Sequence, residues 1–370
     1  MKYTFKKNRY KLFIPLLDII GSVIFFPAKL LKPPVPLSPK KILVVRLDHI
    51  GDFICTTPLF KNLKNKFPDA KITVLINSVS KELAYRNPYI DKVITFSPFY
   101  LARNDRSSML KGLSRVIKDI KALSFDIGID SRGDLLSILL MWLGGVRYRV
   151  GYPITGGGFL LHAEGRYDRD SHIIDRNLSL LEKINIQVES RLPEVYFNDK
   201  DISVVNEIKK EFGPGSKKSV VLHPFAGAKA KEWPIGNFQK IINWLKENGY
   251  NVFLVGSKED AGIFNDVIDL RGGINLPQLA YLIKDAGFFI GLDSGPANIA
   301  AALNVSSVII CSGTNIPQLW IQNSPNVKFV YKDTKCKPCE NKICPEAKTN
   351  ECMTSISVEE VIDAVKGLER

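Results

Sequence analysis

The sequence predicts an α/β protein made of two parallel-sheet halves, preceded by an apolar helix. From Lys41 onward, short β-branched apolar runs alternate with amphipathic helical stretches, the pattern of βαβ units. The alternation begins again after the polar Asn198–Asp201 step and the Gly213-Pro-Gly-Ser216 break. Ahead of both halves, Leu12–Leu31 is almost entirely apolar and is cut off by the stiff Pro33-Pro-Val-Pro-Leu-Ser-Pro39 spacer. The expected organisation is an N-terminal segment and spacer over 1–40, domains over 41–195 and 196–357, and a C-terminal helix over 358–370.

A chain of 370 residues can bury two cores, and 45% apolar with 24% charged residues excludes wholesale disorder. Residues 1–41 hold nine Lys or Arg against the single Asp18, a net +8, which leaves only +5 of the formal +13 for the other 329 residues. The basic excess is therefore concentrated at one end. No zinc-finger or RNP-type aromatic pattern accompanies it, so an anionic membrane surface is the expected partner and nucleic acid is not. Six cysteines in so long a chain, with no secretory cleavage site, imply a reducing, cytoplasmic setting.

Leu12–Leu31 approaches the length of a transmembrane helix, but Pro15, Asp18 and Pro27 interrupt it and both flanks are basic. Lys11, Asp18, Ser22 and Lys29 fall on one narrow stripe of a helical wheel. That layout favours a helix lying in the membrane interface with its stripe toward water, over a true span or a helix docked on the protein.

In the first half, strands are expected at Lys41–Arg46, Lys71–Ile76, Lys92–Phe96 and Phe125–Asp130, with helices near Val79–Arg86 and Met109–Leu123. Gly156-Gly-Gly158 reads as mobile loop. The second half predicts strands at Ser219–His223, Asn251–Val255, Phe288–Gly291 and Ser307–Cys311. Its helices are expected at Gly236–Glu247, Asp260–Val267, Pro277–Lys284, Pro296–Leu303 and Val358–Leu368. In open α/β sheets ligands lie beyond the carboxyl ends of strands, against helix N-termini. Three stretches occupy such places: Arg46-Leu-Asp-His-Ile-Gly-Asp52, His223-Pro-Phe-Ala-Gly-Ala-Lys-Ala-Lys-Glu-Trp-Pro234 and Gly291-Leu-Asp-Ser-Gly-Pro296.

With the late cluster Cys336-x2-Cys339-x4-Cys344-x7-Cys352, these stretches resemble, in order, the lipopolysaccharide heptosyltransferase family, glycosyltransferase family 9, from about Lys41 to the C-terminus. The resemblance implies the GT-B architecture, two Rossmann-like domains facing a cleft, in which the last helix often crosses back to the first domain. It implies an inverting transfer of a sugar, expected to be heptose from ADP-heptose although the motifs do not identify the sugar, onto a lipid-linked glycan of the lipopolysaccharide type. The expected site is metal-independent because both Asp-x-Asp triplets read as structural. Asp52 is then the general base on the acceptor hydroxyl, and Lys231 is the cation on the leaving diphosphate.

Around these two, Ala226, Gly227, Asp293, Ser294 and Gly295 are candidates for the donor nucleotide, the last three at a helix start whose free N–H groups suit phosphate. Glu259, after a strand end, suits a ribose diol. The family usually carries His where this chain has Asn298, which donates a hydrogen bond but no charge. Arg46, Gly51 and Arg132 are candidates for the acceptor, because a guanidinium fork matches phosphate or carboxylate. The triplets Asp168–Asp170 and Asp199–Asp201 read as structural rather than as metal ligands. The four late cysteines leave open a structural metal or a set of reduced thiols.

The expected enzyme is a glycosyltransferase on the cytoplasmic side of the inner membrane, held there peripherally by its N-terminal segment. A nucleotide-sugar epimerase of the same architecture and a non-catalytic nucleotide-sugar-binding scaffold at the membrane are the alternatives.

Overall fold

The structure, a computed structural model, describes residues 8–97, 106–211, 218–345 and 350–368; the Gly213–Ser216 break lies outside the described residues. The chain divides into two compact units, Met1–Pro193 and Glu194–Arg370.

The first unit holds strands β1 (Lys41–Arg46), β2 (Lys71–Ile76), β3 (Lys92–Thr95), β4 (Ile127–Asp130), β5 (Tyr148–Gly151) and β6 (Ala163–Glu164), in the order β3-β2-β1-β4-β5-β6. All pairs are parallel. Its helices are α1 (Asn8–Ile24), α2 (Phe26–Leu30), α3 (Ile50–Ile54), α4 (Thr57–Lys66), α5 (Lys81–Arg86), α6 (Arg106–Leu123), α7 (Leu135–Leu143) and α8 (Ile173–Ser179). Only Lys41 of β1 is exposed, as a strand covered on both faces requires.

The second unit repeats the scheme with β7 (Ser219–His223), β8 (Asn251–Leu254), β9 (Ile268–Asp269), β10 (Phe288–Leu292), β11 (Ser306–Ile310) and β12 (Val327–Val330). Its order, β12-β11-β10-β7-β8-β9, is again wholly parallel. The helices are α9 (Asp199–Glu211), α10 (Ile235–Glu247), α11 (Leu276–Ala286), α12 (Gly295–Ala302), α13 (Glu351–Thr354) and α14 (Val358–Leu368). In each unit the strand order reverses beside the first strand, between β1 and β4 and between β7 and β10. In open α/β sheets such a reversal is where connections splay apart and ligands are generally received.

Several expectations are corrected. No helix forms over Asp260–Val267: Gly262 sits at φ +136°, the Asp260 carboxylate turns back to accept from Ser257 N at 2.6 Å, and Arg271 Nη1 donates to the Asp260 and Gly262 carbonyls. The segment then ends as the short β9 instead. The last helix packs within the second unit, where Val358, Val361 and Val365 join the core that also buries Trp233.

The N-terminal helix departs furthest from expectation. Asp18 is only 6% exposed and accepts from Gly157 N at 2.7 Å, so the polar stripe does not face water as a whole; Ser22 does, and the Lys11 and Lys29 side chains lie outside the described residues. The glycines read as mobile loop are ordered by this contact, in a turn that continues into a short 3-10 helix at Gly158–Leu160. Among the described residues no helix is long and apolar enough to cross a membrane.

Gly133 closes the turn after β4 at φ +88°, where an added Cβ would lie 2.8 Å from Tyr152 O. A side chain there meets both backbone strain and a carbonyl that cannot rotate away. Gly133→Ala should lower stability by about 1–3 kcal/mol, read as a lower urea midpoint; an unchanged midpoint would show that this turn relaxes freely.

Candidate functional site

In the first unit, β1 runs into a tight turn and the five-residue α3. Asp52 is the third residue of that helix and forms a reciprocal cap with His49: the His49 side chain takes the Asp52 N–H, and Asp52 Oδ2 accepts from His49 N at 3.2 Å. Its other oxygen, Oδ1, is 3.0 Å from Arg46 Nη2. The side chain is 18% exposed, so the carboxylate is fixed on two sides and still reaches solvent.

Arg46 is 5% exposed, too deep to serve as a surface fork for the acceptor. Its Nε meets Asp48 Oδ2 at 3.1 Å, and its Nη1 donates to Ser131 O and to Asn177 Oδ1 at 3.3 Å. The acceptor contact expected of Arg46 gives way to a positioning arrangement around Asp52. Its neighbour Arg132, at the end of β4, places Nε 2.9 Å from Asp48 Oδ1 and 2.8 Å from Asp134 Oδ2. A chain of alternating charges, Asp52–Arg46–Asp48–Arg132–Asp134, thus spans the β1/β4 switch point. Asp130, fully buried, accepts from the Arg132 and Gly133 N–H groups at 3.0 Å and shapes the turn. Burial pushes its carboxyl well above the usual range, with Asp134 adding to the effect. Gly51 lies inside α3, where its carbonyl accepts from Cys55 N at 3.0 Å. Burial pushes the Cys55 thiol up to about 12, which leaves it a core side chain and no nucleophile.

In the second unit, β7 and β10 end side by side. Lys231, in a short 3-10 turn (Lys229–Lys231) after β7, places Nζ 2.7 Å from Asp293 Oδ2 just beyond β10. Asn315 Nδ2 donates to the same oxygen at 2.9 Å. Ser294 precedes α12, and its hydroxyl lies 3.1 Å from His223 Nδ1. Burial pushes His223 down to about 4, so it is neutral near pH 7. Gly295 and Pro296 open α12, and Asn298 Nδ2 donates back to Ser294 O at 3.1 Å. Ala226 is half-buried and Gly227 exposed in the β7 connection, with nothing within 4 Å of where a Gly227 Cβ would be. Glu259 is exposed in the loop after β8, apart from the Lys231–Asp293 pair in the hydrogen bonding described.

The sequence reading missed Asp48, Asp134, Asn177 and His223. Asp48 and His223 stand inside the quoted stretches, so their places at strand ends were an available signal. Asp134 and Asn177 gain their importance only through tertiary contact. Asp201 caps α9 through a reciprocal pair with Asn198, at 3.0 and 3.1 Å. Of the late cysteines, Cys336 is exposed, Cys339 and Cys344 are half-buried and Cys352 is buried. Among the described residues no group of three or more His, Cys, Asp or Glu is arranged to hold a metal ion.

Two wholly parallel six-stranded units, each with polar groups at its switch point, are the GT-B-like fold of the solved heptosyltransferase structures. Residues 113–350 match glycosyltransferase family 9 (heptosyltransferase), and the chain belongs to that family. It is 30% identical over 345 residues to lipooligosaccharide heptosyltransferase 2 of Campylobacter jejuni, covering 89% of this chain and 98% of that one. The fold is similar to the family 9 glycosyl transferase of Veillonella parvula, at a TM-score of 0.75 and 22% identity, over 90% of this chain and 97% of that one. The E. coli heptosyltransferase WaaC with ADP is similar at a TM-score of 0.66 and 15% identity, over 88% and 99% of the two chains.

Burial pushes the Asp48 carboxyl up to about 6, against the pull of Arg46. The folded chain therefore holds this proton more tightly than the unfolded chain, whose carboxyl titrates near 3.9. The contribution of Asp48 to stability falls as pH rises from about 4 to about 6 and is level above that. Asp48→Asn should remove the fall, so that the variant gains on the wild type in Tm between pH 4 and pH 6. A constant Tm difference across that window would contradict the assignment.

Proposed function

We propose that the chain transfers heptose from ADP-heptose to a lipid-linked glycan acceptor of the lipopolysaccharide type, by an inverting displacement that needs no divalent metal. Family membership supports heptosyl transfer, and the ADP-bound relative supports the nucleotide. The observation that carries the mechanism is the Asp52 carboxylate, held by Arg46 and the His49 N–H at the end of a central strand and yet open to solvent.

In this reading Asp52 takes the proton of the acceptor hydroxyl as its oxygen attacks the anomeric carbon. The bond from that carbon to the β-phosphate oxygen breaks on the opposite face, and ADP leaves. Arg46 keeps Asp52 in one orientation, while Arg132 is the acceptor-side cation nearer solvent. Lys231 and the free N–H groups at the start of α12 meet the charge that grows on the diphosphate. Asn298 adds no positive charge, so electrostatic compensation falls more heavily on Lys231. Ser294 and the neutral His223 offer hydrogen bonds without net charge, and Glu259 with the Ala226–Gly227 loop is assigned to the nucleoside. The acceptor's lipid places the reaction at the cytoplasmic face of the inner membrane, with the N-terminal segment as the contact.

Asp52→Asn should leave ADP binding nearly intact and lower turnover by about 10²-fold or more, the scale of a lost general base. Near-normal turnover would remove Asp52 from that role. Lys231→Ala should weaken ADP by roughly tenfold or more while leaving adenosine nearly unchanged, because a charge-assisted contact counts only when phosphate is present. Equal losses for the two ligands, measured by calorimetry, would make Lys231 structural.

A further inference from the structure

The first unit carries an apolar surface that none of the described residues covers. Helix α1 docks through one stripe, Ile14, Asp18 and Gly21, at spacings of four and three that keep them on a single face, and Phe25, just past its end, continues the contact. Ile14 and Asp18 are buried. An added Cβ at Gly21 would lie 2.5 Å from the Phe159 ring, so glycine is what lets the helix approach. Phe25 meets the Trp142 ring edge-on at 5.6 Å and the Phe159 ring at 5.4 Å. The opposite faces are also apolar and face outward: Phe13, Leu16, Ile19, Ile20, Val23 and Ile24 are all exposed, Ile19 at 63% and Val23 at 71%.

A helix with large apolar side chains on its outward side as well as its docked side needs shielding on both. A run of large exposed apolar side chains on a folded chain marks an interaction surface. Its partner is indicated by charge. Residues 1–41, the stretch of sequence that contains this face, carry a net +8, which suits an anionic, apolar-cored surface and disfavours a basic protein.

We infer that α1 is a docked strap whose outward apolar face inserts into anionic lipid, with Asp18 turned inward as the peg that sets its orientation. The peg also links the lipid-facing helix to the proposed acceptor corner. The Asp18 carboxylate holds Gly157 of the loop after β5, and in that same loop Thr155 Oγ1 accepts from Leu135 N at 2.9 Å, while Tyr152 backs Gly133. That loop therefore braces the Arg132–Asp134 turn. Lipid contact on α1 would hold the acceptor end of the first unit at the surface where a lipid-linked sugar is presented. This use of the contact rests on the proposed acceptor, whereas the contact itself does not.

The test is flotation of the full-length protein with vesicles of phosphatidylethanolamine and phosphatidylglycerol, against vesicles of phosphatidylcholine alone. The wild type should float with the anionic vesicles and much less with the neutral ones. Ile19→Glu combined with Val23→Glu should lower partitioning by at least about tenfold, with Tm and ADP affinity unchanged because both side chains are exposed. Retained ADP binding would leave the proposed function standing even if flotation failed. Equal partitioning of the double variant, or no binding by the wild type, would overturn the inference. So would a vesicle-free dimer that the double variant converts to monomer, since a second copy would then cover the face.

Discussion

A guanidinium buried at the carboxyl end of a central strand is tolerable only if its charge is matched at once, and the first unit is arranged to do so. Arg46 lies where the strand order reverses, and two carboxylates, a carbonyl and an amide converge on it. Removing any partner from such a buried cluster costs more than an exposed ion pair does, because the remaining charge has lost its water. Asp52 is therefore oriented by a group that cannot easily turn elsewhere. Asp48 is the member whose burial is least offset: burial raises its carboxyl against the pull of Arg46 and Arg132, and the nearby Asp52 and Asp134 carboxylates raise it further.

The second unit solves a different problem at the equivalent place. The diphosphate site proposed there must offer positive charge without being destabilised when empty. Pairing Lys231 with Asp293 accomplishes this, since the lysine is held in one position and its charge is balanced before any ligand arrives. In the proposed function phosphate must then compete with the Asp293 carboxylate for the Lys231 ammonium, or share that ammonium with it. His223 avoids the same problem by staying neutral.

The architecture was legible because a parallel strand buried on both faces leaves an unmistakable β-branched run, and both units repeat that signal in the same order. The places of Asp52, Lys231 and Asp293 followed from the rule that connections at strand ends meet ligands. What could not be read was partnership. Asp48 and Arg132 are distant in the chain and meet only through the β1/β4 register, which turned Arg46 from an expected acceptor fork into a buried brace. The Asp18 stripe was misjudged because a lone aspartate on an apolar helix suggests water, whereas its carboxylate is satisfied by a loop N–H far away in sequence. The absent helix over Asp260–Val267 failed for a local reason, with Gly262 and the Asp260 turn outweighing a weak apolar period.

The claim on which the account depends is that these residues move heptose from ADP-heptose to a lipid-linked glycan using protein charge alone. The most direct measurement is mass spectrometry of a lipid-linked core glycan incubated with the purified chain, ADP-heptose and excess EDTA, with released ADP quantified in parallel. The account predicts a gain of one heptose on the glycan, one ADP released for each heptose transferred, and no loss of rate on adding EDTA. Release of ADP without a gain in glycan mass, or transfer that stops in EDTA and returns with a divalent cation, would contradict it.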